Sequence, residues 1–106
     1  MNNAYLQQLK RGTLEMVFLS LLEKKPLYGS EIMMTLNHEG HPYFSGAREG
    51  TVYPVLYRLE DAGFVKSIPN GKQKKDFHIT EAGMVHLREM KTFWCGFTDA
   101  VNHFLH

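Results

Sequence analysis

This sequence has almost no net charge: 12 lysines and arginines stand against 11 acidic residues, +1 in all. Overall charge therefore supplies no argument for a nucleic-acid or membrane partner. Cysteine is nearly missing too. The single Cys95 cannot close an internal disulfide and has no companions for a structural zinc, which suits a reducing compartment. No run of eighteen apolar residues occurs, which excludes a membrane-spanning helix. The first residues lack the basic, apolar, small-residue order of a secretory signal, so a cytoplasmic protein with no membrane partner is expected. Catalytic constellations are also lacking. Cys95 falls in an apolar helical pattern with no histidine spaced to activate it, and Glu60 and Asp61 adjoin on one helix surface instead of facing across a cleft. His38 and His41 stand three apart among glycine and proline with no further ligands, which reads as loop histidines. No enzyme, metal or cofactor is implied.

What is present is organised around Glu49 to Gly63, E-G-T-V-Y-P-V-L-Y-R-L-E-D-A-G. Val52, Leu56 and Leu59 recur at spacings of four and three and share one side of a helix, while Thr51, Pro54, Tyr57 and Arg58 fall mostly on other sides. The spacing predicts a short helix from near Thr51 to near Ala62. Thr51 would serve as its cap, Pro54 would be confined to its first turn, and Gly63 would be its left-handed stop. A strand from Phe64 to Ile68, a turn through Pro69, Asn70, Gly71, Lys72, Gln73, Lys74 and Lys75, and a strand from Asp76 to Ile79 follow. Residues 64–79 hold four lysines against one aspartate, a local excess of three positive charges beside that helix. Helix, strand, basic hairpin, strand is the order of a winged helix-turn-helix.

The sequence resembles the short, single-domain branch of the PadR family of transcriptional regulators. The resemblance covers roughly residues 9–90 and rests on Gly12-Thr13-Leu14, Leu27-Tyr28-Gly29 with Glu31-Ile32, Gly50 to Glu60 with Gly63, and Ile79-Thr80-Glu81-Ala82-Gly83. Where such proteins usually carry arginines and paired tyrosines in the second wing strand, this chain has Lys74-Lys75-Asp76-Phe77-His78. The fold implied is mainly α with a small β-hairpin: a winged helix-turn-helix with a long C-terminal dimerisation helix. The function implied is a homodimeric, sequence-specific DNA-binding regulator, usually a repressor, on a pseudo-palindromic operator. The other reading is a winged-helix protein-interaction module that does not read DNA.

For DNA, Thr51 and Tyr57 can each donate and accept a hydrogen bond, and Pro54 can meet a thymine methyl or the sugar backbone. Arg58 can reach phosphate or a guanine edge, or instead pair with Glu31 or Asp61. Tyr53 in the family is commonly partly packed with its hydroxyl toward the backbone, and Lys72, Lys74 and Lys75 would track phosphates.

The remaining segments fit around this unit. Met1 to Tyr5 has no period and is expected to fray, with a helix under way by Leu6 and Leu9. From Thr13, Leu14, Val17, Phe18, Leu21 and Leu22 form a stripe that Met16 and Leu19 widen, ended before Pro26. A second helix is expected from Tyr28 to Asn37 or His38, with Gly29 either permitting a close helix contact or left over from a loop. A breaker-rich linker runs from there to Arg48, with Ser45 as the candidate cap of a short turn.

Thr80 caps the last helix, with Glu81 in its first turn. Leu87, Met90, Trp94, Phe97, Val101 and Phe104 then follow at alternating spacings of three and four, a heptad-like seam broadened by Phe93 and Ala100. About 25 residues at 1.5 Å each span about 37 Å, more than so small a domain covers, so the seam is expected to meet a second copy. The chain thus divides into a DNA-binding core over 1–79 and a dimerisation helix over 80–106 within one structural domain. In a short-branch relative, a tryptophan at the matching place lines a flat pore at the dimer centre that holds planar aromatic compounds. Trp94 with Phe93 and Phe97 is therefore either a candidate effector site or one more layer of dimer packing.

Overall fold

The computed structural model describes residues 3–71 and 73–106. Lys72, placed at the wing tip, and Met1 and Asn2 of the N-terminal segment lie outside the described residues. Four helices and a three-stranded antiparallel sheet follow in the order α1 Asn3–Lys24, β1 Leu27–Tyr28, α2 Gly29–Glu39, α3 Glu49–Asp61, β2 Val65–Pro69, β3 Lys75–Ile79 and α4 Glu81–Leu105. The mainly helical winged architecture with a long last helix is the one expected.

One core holds the elements together. Phe18, Leu19 and Leu22 of α1, Ile32 and Leu36 of α2, Val52, Val55, Leu56 and Leu59 of α3, Val65 and Phe77 of the sheet and Leu87 of α4 are all buried in it. Leu19, expected only to widen the stripe of α1, is completely covered, whereas Leu14, Val17 and Leu21 are packed against the core from its edge. The helix also starts earlier than its apolar pattern. It runs unbroken from Asn3 through Gly12 rather than fraying to Tyr5, and a glycine costs a helix interior only about 1 kcal/mol, which packing overrides.

β1 was not visible in the sequence. Two residues after Pro26 carry no period, and the strand exists because Leu27 and Tyr28 pair with Phe77 and Asp76 of β3. That places β3 at the centre of the sheet, in the order β1-β3-β2. Gly29 proves to be a close contact: a Cβ there would lie 2.6 Å from the Tyr53 ring.

α3 begins at Glu49, two residues before the expected Thr51, with Arg48 as the N-cap residue in extended conformation. Thr51 is therefore not the cap. Its own N–H, like that of Val52, donates to the Arg48 carbonyl at 2.9 Å. Pro54 consequently lies inside the helix and not in its first turn, where it removes one backbone hydrogen bond. The physical reason lies upstream. Asn37 pins the linker, its Oδ1 accepting from Gly46 N at 2.6 Å and Ala47 N at 3.0 Å and its Nδ2 donating to Ala47 O at 3.2 Å. The chain is thereby delivered to Arg48 already directed into the helix. Ser45 instead donates to Pro42 O within the linker at 3.0 Å. At the other end Gly63 is left-handed, φ 83°. Gly63 N donates to Glu60 O and Phe64 N to Leu59 O, both at 2.9 Å, which closes the helix with a Schellman pair.

α4 starts where expected. Thr80 Oγ1 accepts from Gly83 N at 3.0 Å and donates to Gly63 O at 2.7 Å, while Thr80 N donates to Phe64 O at 3.0 Å. Leu87, the first residue assigned to the dimer seam, is 0 % exposed. It is part of the chain's own core and has no surface to offer a second copy; the outward seam begins at the partly buried Met90.

The contact at the start of α4 is testable. A Cβ on Gly83 would lie 2.1 Å from the Phe64 carbonyl oxygen and 2.8 Å from Ile79 Cγ1, and the first of these is backbone that already accepts the Thr80 bond. Gly83→Ala is expected to cost about 1–3 kcal/mol through overpacking, read as a lower midpoint in urea or heat denaturation. An unchanged midpoint would mean that this approach is not tight.

Candidate nucleic-acid interface

α3 divides cleanly into two faces. Val52, Val55, Leu56 and Leu59 are buried, at 3 % exposure or less, and Thr51, Pro54, Tyr57 and Arg58 are all exposed. Burying four aliphatic side chains contributes on the order of 1.5–3 kcal/mol each, so the helix is held by one face and cannot roll the other inward. Tyr53 lies between the faces, half-buried, its ring over Gly29 and its centroid 6.0 Å from that of Tyr57. Arg58 is paired with neither alternative. Glu31 Oε1 accepts from Tyr28 N at 2.8 Å, and the one ion pair among the described residues is Lys91 with Glu23.

The wing is fastened to this helix by a carboxylate. Glu60 Oε2 accepts from Ser67 N at 3.1 Å and from Ser67 Oγ at 2.5 Å, so the last turn of α3 grips the middle of β2. Registration across the hairpin pairs Pro69 with Lys75 and Ile68 with Asp76. Gly71 and Gln73 take left-handed conformations, φ 81° and 62°, and Asn70 N closes the turn onto Lys74 O at 2.9 Å. Lys74 and Lys75 are exposed.

Between the start of α2, the outer side of α3 and the wing lies a groove of about 430 Å³. Tyr28, Ser30, Tyr53, Tyr57, Lys74 and Lys75 contribute to its walls, with the Glu49 carboxylate also on its lining. Hydroxyl donors and two ammonium groups thus converge on one surface, a combination suited to phosphate oxygens. Of the residues expected from sequence, Tyr53, Tyr57, Lys74 and Lys75 meet in this groove. Thr51, Pro54 and Arg58 are not among its lining residues; they belong to the exposed face of α3. Tyr28 and Glu60 were missed, because their roles depend on partners brought near only by folding.

On α4, Trp94 is 45 % exposed, Phe93 78 % and Phe97 65 %. Trp94 borders two hollows. One, of about 390 Å³, lies between α1 and α4 and includes Met16, Met90, Phe93 and Phe97. The second, of about 360 Å³, is walled by Leu6, Leu9 and Val17 of α1 and by Tyr43 and Phe44 of the α2–α3 linker. Among the described residues no group of three or more histidine, cysteine or acidic side chains is arranged to hold a metal. No helix among them is long and apolar enough to cross a membrane.

A family model described as the transcriptional regulator PadR-like family matches residues 18–89, which span α3, the wing and the start of α4. The chain belongs to the PadR-like family. Among solved structures, a transcriptional regulator from Clostridium thermocellum superposes with a TM-score of 0.84 at 25 % identity, over 93 % of this chain and 99 % of the other. A PadR-like regulator from Bacillus cereus gives 0.82 at 29 % identity, over 93 % and 97 %. One from Eggerthella lenta gives 0.80 at 30 % identity, over 98 % and 91 %. A protein from Lysinibacillus sphaericus is 27 % identical over 99 residues, 90 % of each chain. As a PadR-like protein this chain is a dimeric, DNA-binding transcriptional regulator and not an enzyme, which decides against an interaction module that does not read DNA.

The wing lysines carry a measurable consequence. Removing one lysine that neutralises a phosphate should lower the dependence of log K on log salt by about 0.9. Replacing Lys74 and Lys75 together with alanine is expected to weaken binding to every duplex and to reduce the slope by roughly two such steps, measured by anisotropy across a salt series. An unchanged slope would show that the wing does not touch phosphate.

Proposed function

We propose that the exposed face of α3 enters the major groove, where Thr51, Pro54, Tyr57 and Arg58 meet base edges, while Lys72, Lys74 and Lys75 hold the flanking backbone. Tyr53, half-buried against Gly29, would aim its hydroxyl at the adjacent phosphate. The observation that carries this reading is the two-faced character of α3: four buried aliphatic side chains hold it in place and a polar face bearing Arg58 remains free beside a basic hairpin. A major groove admits such a helix and distinguishes all four base pairs by their donor and acceptor pattern.

Two copies joined through α4 would present two such helices to successive half-sites of a pseudo-palindromic operator. Met90, Trp94, Phe97, Val101 and Phe104 form the joining seam, and the exposure of Phe97 at 65 % and Phe104 at 87 % in one chain is what supports it. Residues 1–79 then act as the reading unit and 80–106 as the joining helix. Occupation of an operator by such a dimer excludes other proteins from the same duplex, which makes repression the output we assign.

The same seam would receive a planar aromatic effector. Trp94, flanked by Phe93 and Phe97, offers an indole face open to solvent beside apolar hollows large enough for a fused-ring molecule, and aromatic faces stack favourably with such rings.

Two experiments test these assignments. Tyr57→Ala should cost about 1–3 kcal/mol on the preferred operator, the range of a specific base contact, and little on unrelated duplex. An equal loss on both would assign Tyr57 to the backbone. Titration with planar aromatic dyes should quench or shift the fluorescence of Trp94, the sole tryptophan. No change at about tens of micromolar, a typical range for a pocket of modest affinity, would remove Trp94 from an effector site.

A further inference from the structure

Tyr28 joins three parts of the reading surface at once. Its backbone pairs with Asp76 at the end of β1, and its N–H donates to Glu31 Oε1 at 2.8 Å as α2 begins. Its hydroxyl accepts from Asn70 Nδ2 at 3.1 Å, and the same amide group donates to Asp76 Oδ2 at 3.2 Å. Lys74 Nζ stands 5.4 Å from the centre of its ring. Asn70 is the residue whose N–H closes the wing turn onto the Lys74 carbonyl, so the phenol holds both ends of that turn: one through its hydroxyl and one through its ring.

A lysine ammonium on a four-carbon stem is ordinarily mobile, and ordering it on contact with a phosphate costs side-chain entropy. An ammonium within about 6 Å of an aromatic face is attracted by the ring quadrupole. Here that attraction keeps the Lys74 charge at the groove shared by Tyr53, Tyr57 and Lys75, before any duplex arrives. We propose that Tyr28 is a positioning residue for DNA binding, which presents Lys74 to the phosphate backbone and ties the wing tip to the start of α2. The proposal rests on the wing lysines touching phosphate. It adds that Lys74 does so through Tyr28.

Three variants, Lys74→Ala, Tyr28→Leu and their combination, test it by duplex affinity and salt slope. Tyr28→Phe serves as the milder change, since it keeps the ring and loses only the bond to Asn70. Lys74→Ala is expected to lower the salt slope by about 0.9, one phosphate neutralised. Tyr28→Leu should lower the slope in the same direction, although it removes no charge, and should add nothing once Lys74 is gone. Tyr28→Phe should keep the wild-type slope, weaken binding to all duplexes by less than Tyr28→Leu does, and speed amide exchange at Asn70, whose side chain loses the phenol hydroxyl as a partner. A general structural role would not move the salt slope of a variant that leaves every charge in place. If Lys74→Ala lowers the slope and Tyr28→Leu does not, or if the two effects add, the positioning role is overturned while the wing contact stands. If Lys74→Ala leaves the slope unchanged, both fall. Should Tyr28→Leu fail to fold, wild-type affinity and exchange in Tyr28→Phe overturn the proposal on their own.

Discussion

The contact on which the remainder of this fold depends is the one made by Thr80 and Gly83 with the chain just after α3. One hydroxyl bond to Gly63 O and one backbone bond to Phe64 O, both from Thr80, tie the start of the last helix to the stop of α3, while the Gly83 N–H holds the Thr80 hydroxyl in place. The absent side chain of Gly83 lets the helix backbone approach the Phe64 carbonyl more closely than any Cβ would allow. Phe64 also stacks on His86, with ring centres 4.0 Å apart and planes at 9°. Short backbone contacts have little freedom to slide. The direction of α4 is therefore set relative to α3, and in the proposed dimer whatever fixes the angle between two joined α4 helices also fixes the angle between the two α3 helices.

A nearly neutral chain can serve as a DNA-binding protein because the charges that matter are placed and not summed. Glu60 shows the principle from the opposite sign. An acidic residue on the helix proposed to face DNA would ordinarily repel phosphate, but its carboxylate oxygen is engaged by Ser67 N and Oγ. Its charge therefore serves to fasten the wing. Lys74 and Lys75 remain exposed on the outer side of the same hairpin. Phosphate attraction falls off within a Debye length, about 8 Å at physiological salt, so these two ammonium groups outweigh distant acidic residues at the surface they face.

Period was the most legible property of the sequence. Spacings of three and four placed Val52, Leu56 and Leu59 on the buried side of α3, and an unbroken apolar seam gave α4 its length. Turn chemistry marked Gly63 and the wing. What could not be read were features made by tertiary contact. β1 is two residues long and exists only against β3. The start of α3 moved from Thr51 to Glu49 because Asn37, ten residues upstream of Ala47, holds the linker. Leu87 obeyed the seam's period yet turned inward, since spacing identifies a face but not the point along it at which the core ends. Tyr28 stood in a motif shared with the family, but its bond to Asn70 spans 42 residues, a separation that no local pattern encodes.

Under the proposed effector reading, the linker that shifts the start of α3 would also connect Trp94 with that helix. Phe44 forms one wall of the hollow beside Trp94, and Lys10 Nζ stands over the Phe44 ring at 5.9 Å. Two residues later, at Gly46, the chain enters the hydrogen bonds of Asn37, and Arg48 is then the N-cap residue of α3. A ligand shifts an equilibrium only by the difference in its affinity for two states. An effector seated against Trp94 that also requires Phe44 to move has that difference built in, because displacing Phe44 disturbs the segment that aims α3. A molecule touching only Trp94, Phe93 and Phe97 lacks that route and must act through the angle between the paired α4 helices. Under the proposed effector reading, the two hollows bordered by one indole would offer two separate couplings, with the shape of the ligand selecting between them.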